Sequence, residues 1–181
     1  MNLKTLYTIG FTKKTAEQFF TMLENNHVTR VIDVRLNNTS QIQRFSIYPD
    51  IKFFLNRFGI AYEHSKIFAP NPFTLQKYRQ KKITWEEYVE SFTDLMDERG
   101  AVEMIKNLEY DIDRCCLLCA EESAKFCHRR LVAELIVENL EDNSPPPIGP
   151  PVGDPLENAV DYTKICINHL GDPLWKETSL F

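Results

Sequence analysis

Residues 115–130 have the sequence Cys-Cys-Leu-Leu-Cys-Ala-Glu-Glu-Ser-Ala-Lys-Phe-Cys-His-Arg-Arg. The apolar run over 115–120 predicts a buried strand, which ends at two carboxylates. The residues after them predict an amphipathic helix over 124–140. One face of this helix is formed by Leu131, Val132, Leu135 and Ile136. Because a strand, a polar turn and a helix in this order place ligand-binding groups at the carboxyl edge of a parallel sheet, we expect a functional site in this connection.

The N-terminal part of the chain predicts a βαβ unit. Residues 6–10 and 28–35 are apolar runs typical of strands, and Thr15 and Gln18 between them have the spacing of a helix capping box. The two strands of such a unit are parallel. A third strand is predicted over 60–64, and a helix is predicted to begin near residue 50. Thr84 and Glu87 have the spacing of a second capping box, which predicts another helix after Thr84. This alternation predicts an α/β fold with three layers, in which helices flank a mostly parallel, Rossmann-like sheet.

The composition changes sharply between residues 144 and 155, where six of the ten prolines lie. Such a run favours an extended polyproline strap over a packed element. Beyond it, apolar residues at helical spacing predict a C-terminal helix. These residues are Leu156, Val160, Thr163, Ile167 and Leu170. We therefore expect an α/β domain over 1–143 and an appendage over 144–181, whose helix either caps its own domain or contacts a second copy in a homodimer.

Charge and cysteine content limit the class of protein. A net charge of −5 gives no overall attraction to nucleic acid or acidic membranes, although a local basic groove stays compatible with it. We expect neither a signal peptide nor a membrane span. Five cysteines, four of them between 115 and 127, do not fit a secreted disulfide framework. These features predict a cytoplasmic protein without a membrane partner, for which a nucleic-acid partner is disfavoured.

The segment Cys127-His-Arg-Arg130 has the highest density of reactive groups. If Ser123 is the N-cap, Cys127 lies about one turn into the helix, where the helix dipole, His128 and Arg129 lower the pKa of its thiol. The same groups form a cradle for phosphate or carboxylate. Alternatively, Cys127 is a small buried residue that continues the apolar face of the helix.

Glu121 ends the strand that precedes this helix. Apolar surroundings would raise the pKa of its carboxyl group and suit acid–base chemistry. The alternative is an ion pair with Arg129 or Arg35 that fixes the helix on the sheet. We give the two interpretations equal weight.

The ends of the other parallel strands are expected at the same edge of the sheet. Asp33 and Arg35 lie on one face at the end of the second strand, so they either pair locally or add Arg35 to the anion cradle. Arg44, in the long polar loop that follows, and His64, at the end of the third strand, are expected to face this edge as well.

The cysteine spacing leaves a thiol pair or a metal site as alternatives. Cys116 and Cys119 form a C-x-x-C pattern, but strand residues three apart point to opposite faces, which argues against a zinc knuckle and a thioredoxin-type pair. Cys119 and Cys127 can meet across the turn, as a thiol pair or as metal ligands with His128. Without a second Cys/His cluster, we do not predict a metal. The sequence has no glycine-rich dinucleotide or Walker motif, and the cofactor stays unknown.

The same residues give the chain a family likeness. It resembles the bacterial and archaeal family called domain of unknown function 488 over residues 6–140. The likeness rests on Tyr7-Thr-Ile-Gly10, Asp33-Val-Arg35, Tyr62 with His64, Leu117-Leu-Cys-Ala-Glu121 and Cys127-His-Arg129. The resemblance implies the fold and the site but no reaction.

The chain departs from the family pattern at three places. Phe11 stands where the family often has His, and Ser123-Ala124 stands where Asp-Pro is common. Ile67-Phe-Ala-Pro70 replaces a glycine-rich turn. We therefore expect differences on the substrate side of the pocket.

Three functions fit these patterns. The first is an enzyme or binding protein for a small anionic ligand, phosphate- or nucleotide-like, held by the arginines, with Glu121 moving a proton and Cys127 as nucleophile or donor. The second is a thiol-redox or metal-dependent protein that uses Cys119, Cys127 and His128. The third is a non-catalytic module that binds a nucleic acid or a protein through the loop over 36–48.

Overall fold

A computed structural model describes residues 2–40, 43–140 and 163–172. Five strands in this part of the chain form one sheet in which every pairing is parallel, in the order β3-β2-β4-β1-β5. The strands are β1 (Asn2–Gly10), β2 (Arg30–Asp33), β3 (Ala61–His64), β4 (Cys115–Cys119) and β5 (Thr163–Leu170). Since all strands point the same way, their carboxyl ends meet at one edge of the sheet.

Helices cover both faces of the sheet. They are α1 (Ala16–Asn25), α2 (Asp50–Arg57), α3 (Pro72–Arg79), α4 (Trp85–Glu98), α5 (Ala101–Lys106) and α6 (His128–Leu140). The central strand β4 is buried on both sides, with Leu117 in the apolar core under α4, α5 and α6 and Leu118 in the core under α1 and α2. The three-layer α/β fold is therefore confirmed.

Side-chain caps fix the starts of two helices. The Thr15 and Thr84 side chains each accept a hydrogen bond from the backbone N–H three positions later. In return, the Gln18 and Glu87 side chains accept from the backbone N–H groups of these two threonines. Both capping boxes are confirmed. A third cap was not predicted, because Pro70-Asn-Pro72 resembles a simple chain break. Asn71 instead caps α3, with Pro72 at the first helical position, where its missing N–H costs nothing.

The start of α6 differs from the prediction. The helix begins at His128, so Cys127 lies immediately before it rather than one turn inside. Ser123 does not cap the helix: its hydroxyl accepts a bond from the backbone of Lys125 and donates to Asp172. Asp172, which follows β5, also accepts from the backbone of Ala124 at 2.6 Å. These bonds hold the β4–α6 connection as a loop.

The C-terminal helix prediction is wrong for residues 163–170, which form β5 and pair with β1 from Asn2↔Thr163 to Ile9↔Leu170. The β-branched residues at 163, 165 and 167 alternate along this segment and favour a strand, and pairing with β1 gives their backbone groups partners. This strand belongs to the same sheet as the other four strands, so residues 163–170 do not form the helix that was expected to cap the domain or contact a second copy. The strap over 144–155 and the first half of the predicted helix lie outside the described residues. No described helix has the length and apolar content to cross a bilayer.

Candidate functional site

The carboxyl ends of β2 and β4 open into a cavity of about 540 Å³, which we call the edge cavity. Its polar and reactive lining residues include Arg35, Arg79, Cys119, Glu121, Cys127 and His128. Its apolar and aromatic lining residues include Leu36, Pro70, Leu75, Tyr78, Tyr88 and Phe126. The structure thus brings together most of the candidate residues from β2, β4 and the start of α6.

Arg35 is held at the cavity by Asp33. Its Nε and Nη2 donate to the two carboxylate oxygens at 2.8 and 2.5 Å, and the side chains are 3% and 0% exposed. The Asp33 carboxylate also accepts from the hydroxyl of Tyr62 at 2.7 Å, and burial followed by this contact raises the pKa of Tyr62. The remaining nitrogen, Nη1 of Arg35, is buried without a hydrogen-bond partner among the described residues. One strong donor is therefore left beside the cavity.

Tyr88 of α4 provides a second unused donor. Its side chain is 2% exposed, and its hydroxyl forms no hydrogen bond within the described part of the chain. Burial and, next, the nearby Cys127 raise the pKa of this phenol, so it stays protonated. Buried polar groups in native proteins nearly always have a partner, and two of the exceptions in the described residues belong to side chains that line the edge cavity.

Cys119, Cys127 and His128 form what we call the thiol–imidazole cluster. Cys119 ends β4, and the other two residues lie at the start of α6. The sulfur of Cys119 lies 3.9 Å from Nδ1 and 4.0 Å from Nε2 of His128. Nε2 donates to the carbonyl of Val34 at 2.9 Å, which fixes the ring and leaves Nδ1 free of a proton in the neutral form. All three side chains are buried.

The two sulfurs of the cluster differ in proton affinity. The Cys127 thiol donates to Cys119, and this bond, with His128 as a further cause, holds the pKa of Cys119 well below its ordinary value. Burial and the same bond raise the pKa of Cys127. Burial lowers the pKa of His128, but the charge of Cys119 and the hydrogen bonds to Cys119 and Val34 together outweigh burial and raise it. The expectation of a low pKa at Cys127 is therefore corrected, because the lowered pKa belongs to Cys119.

Arg129 does not line the edge cavity. It is 1% exposed and donates to the backbone carbonyls of Glu121 and Glu122, to the hydroxyl of Thr8, and weakly to the sulfur of Cys127 at 3.8 Å. Close packing accompanies these bonds, since a Cβ on Gly10 would lie 1.7 Å from the carbonyl oxygen of Glu121. The guanidinium therefore holds the β4–α6 connection against β1. Because its nitrogens are used in these bonds, it does not contribute to the lining of the cavity.

The remaining predicted residues occupy different places. The Glu121 carboxylate is half-exposed at the cavity and lies 3.4 Å from Arg79, so it pairs with neither Arg35 nor Arg129. Arg44 is exposed and does not line the cavity. His64 donates from Nε2 to the carbonyl of Arg35 at 2.8 Å and so holds the backbone there.

Tyr78, Arg79 and Tyr88 are among the cavity residues that the sequence analysis missed. The first two belong to α3, which the Asn71-Pro72 cap signal would have predicted. Tyr88 lies three residues after Trp85, on the apolar face of α4, where helical periodicity places it. The sequence contains no signal that its hydroxyl would be unpaired.

Phe11, at the place where the family often has His, lies against the guanidinium of Arg35, with 5.3 Å from its ring centre to the Cζ atom. It is buried and covers one face of Arg35. The substitution thus replaces a polar side chain by an apolar wall behind the unused donor.

A comparison with protein families gives one match, to the model described as Domain of unknown function DUF488, over residues 15–136. The matched range includes the cluster and both unpaired donors. Searches of curated proteins and of solved structures gave no significant match. Because the family model covers most of the chain, the protein belongs to the family Domain of unknown function DUF488.

Proposed function

We propose that the protein binds a small anionic ligand, phosphate- or nucleotide-like, in the edge cavity. The observation that supports this most strongly is the buried Nη1 of Arg35, which has no hydrogen-bond partner in the described residues and belongs to a side chain that lines the cavity. Leaving a charged donor buried without a partner costs more than about 1–3 kcal/mol, and an anionic oxygen at this position would remove that cost. The Tyr88 hydroxyl would supply a second donor to the same ligand.

The charges around the cavity favour an anion. Arg79 forms only a long, exposed pair with Glu121, which solvent screens. The Arg129 guanidinium is buried behind the cavity and bonds to carbonyls, a hydroxyl and a sulfur, but to no carboxylate in the described residues. Arg35 and Arg79 each have a carboxylate partner, so the attraction for an anion would come mainly from the Arg129 guanidinium. The lowered pKa of Cys119 places a negative charge in the same region, next to His128, whose pKa is raised.

The size and the apolar wall suit a ligand with a flat part. A volume of about 540 Å³ lies within the usual range of about 300–1,000 Å³ for small-molecule sites. Tyr78 and Tyr88 lie side by side in the wall, with ring centres 5.0 Å apart, and Phe126 lies near them. A base could contact these rings while its phosphate reaches Arg35. The cluster would then provide the reactive groups nearest to the bound ligand.

The five cysteines form no disulfide, which supports a reducing compartment, and we propose the cytoplasm.

Titration calorimetry with inorganic phosphate and with adenosine and guanosine monophosphate tests the proposal. We expect at least one of these probes to bind, and Arg35→Lys to weaken it by about 10-fold or more, because lysine can pair with Asp33 but has no second forked nitrogen. Arg44→Lys is the matched control and should bind normally. Failure of all three probes to bind the wild-type chain, or an equal loss in both variants, would refute the proposal.

A further inference from the structure

We infer that Cys119, Cys127 and His128 form a binding site for a thiophilic divalent metal ion, with Zn²⁺ as the best fit, and with one coordination position facing the edge cavity. The proposed anion binding does not require a metal, so this inference goes beyond it. It depends on the positions of three ligand atoms, on the hydrogen bonds behind them and on the cavity in front of them.

The ligand atoms lie close to the separations that one shared ion requires. The two sulfurs and a ring nitrogen of His128 all lie within 4.8 Å of one another. Zinc binds sulfur at about 2.3 Å and nitrogen at about 2.1 Å, so atoms that share it are at most about 4.4 Å (S and N) or about 4.6 Å (S and S) apart. The 3.9 Å between Cys119 and Nδ1 lies within this limit and corresponds to an angle at zinc of about 125°, against about 109° in a regular tetrahedron. Small side-chain rotations would complete the geometry.

The surrounding hydrogen bonds prepare these atoms for a metal. Histidines that bind metals almost always donate their other ring N–H to a carbonyl or a carboxylate. Nε2 of His128 donates in this way to Val34, which leaves the lone pair of Nδ1 available. Nη1 of Arg129 lies 3.8 Å from the sulfur of Cys127, where it stabilises a thiolate. A simple thiol pair would not require this orientation of the imidazole.

Two Cys ligands, one His ligand and an accessible cavity are typical of a zinc site with an open position rather than a closed structural site. All three residues line the edge cavity, which is the direction from which a fourth ligand can enter. Two thiolates neutralise a divalent cation, while Arg129 keeps its charge behind them. An anionic fourth ligand would balance that charge; this last step rests on the proposed anion binding.

Cobalt substitution tests the site. The full-length chain is reduced, freed of metal with a chelator, loaded with Co²⁺ or Zn²⁺ and dialysed. We expect about one ion per chain by mass spectrometry, with sulfur-to-cobalt charge-transfer bands and intense visible bands of a four-coordinate ion. Cys119→Ser, Cys127→Ser and His128→Gln should each weaken binding by more than about 100-fold, since even supporting residues behind such ligands cost about 10–100-fold.

Cys116→Ser is the matched control, because Cys116 lies on β4 with Cys119 and is also buried, but does not belong to the thiol–imidazole cluster. It should bind the metal normally. Thermal melts identify any variant that fails to fold. If one ligand variant does not fold, the loss of metal binding is judged from the other two ligand variants. Absence of the cobalt bands in the wild-type chain, an equal loss in Cys116→Ser, or a Cys119–Cys127 disulfide that persists in excess reductant would overturn the inference.

The outcome is separable from that of the proposed function. Phosphate binding by the metal-free chain, without any cobalt bands in the loaded chain, supports the anion site and refutes the metal site. Cobalt bands that phosphate changes support both. Cobalt bands in a chain that binds none of the anionic probes support the metal site and refute the anion site.

Discussion

Tyr88 offers a test in which stability and binding change in opposite directions. Its hydroxyl is buried and unpaired within the described residues, while its ring packs between Tyr78 and Phe92. Tyr88→Phe keeps the ring and removes only the hydroxyl. Since a buried unpaired polar group costs about 1–3 kcal/mol, we expect the free energy of unfolding to rise by about 1 kcal/mol, which corresponds to a melting temperature about 2–4 °C higher for a chain of this size.

The same substitution should weaken the ligand. A hydrogen bond to a charged acceptor contributes about 1.5–3 kcal/mol, so the dissociation constant of a bound phosphate or nucleoside monophosphate should rise about 10- to 150-fold. Urea unfolding gives the first quantity and titration calorimetry gives the second. Tyr110→Phe is the control, because the Tyr110 hydroxyl donates to Glu63 at 3.1 Å and lies outside the cavity. It should lower stability and leave binding unchanged.

The reasoning is refuted if Tyr88→Phe lowers the free energy of unfolding by about 1 kcal/mol or more, because the hydroxyl would then have a partner. An unchanged dissociation constant would show that Tyr88 does not touch the ligand.

Two further predictions follow from buried groups near β1. Arg129→Lys should lower the free energy of unfolding by about 2 kcal/mol or more, because lysine cannot reach both carbonyls and the Thr8 hydroxyl at once. Urea unfolding measures this loss, and an unchanged unfolding midpoint would contradict the role of Arg129 in holding the β4–α6 connection against β1. Burial, with Arg129 as a further cause, lowers the pKa of His169 to about 4, so the unfolded chain, where the pKa is about 6.5, binds the proton more tightly. The free energy of unfolding should therefore be at its full value above pH about 6.5 and fall by up to about 3 kcal/mol as the pH drops to about 4. His169→Gln should flatten this part of the curve of melting temperature against pH, and an unchanged curve would exclude His169 as the cause.

Local signals in the sequence were sufficient for much of the fold. Thr15 and Thr84 cap the helices they were expected to cap, because a capping box involves only residues three positions apart. The continuous apolar run at 115–119 predicts a strand covered on both faces, and the structure buries all five residues. Asp33 and Arg35 were expected on one face of a strand end, and they pair there.

Tertiary structure decided the rest, because the partner of a buried group can come from a distant part of the chain. Residues 163–170 become a strand only when β1 supplies a ladder 161 positions away in sequence. Arg129 and Arg35 are both buried arginines at the same edge, but they find different partners. Arg129 donates to carbonyls of the β4–α6 connection, whereas Arg35 donates to Asp33 and keeps one nitrogen without a partner in the described part of the chain. The sequence alone determined which reactive groups of β2 and β4 reach this edge of the sheet, since strand direction and side-chain alternation are local properties. Which of them face the cavity was decided by packing, since the hydrogen bonds available in the folded chain determine which donors remain unsatisfied.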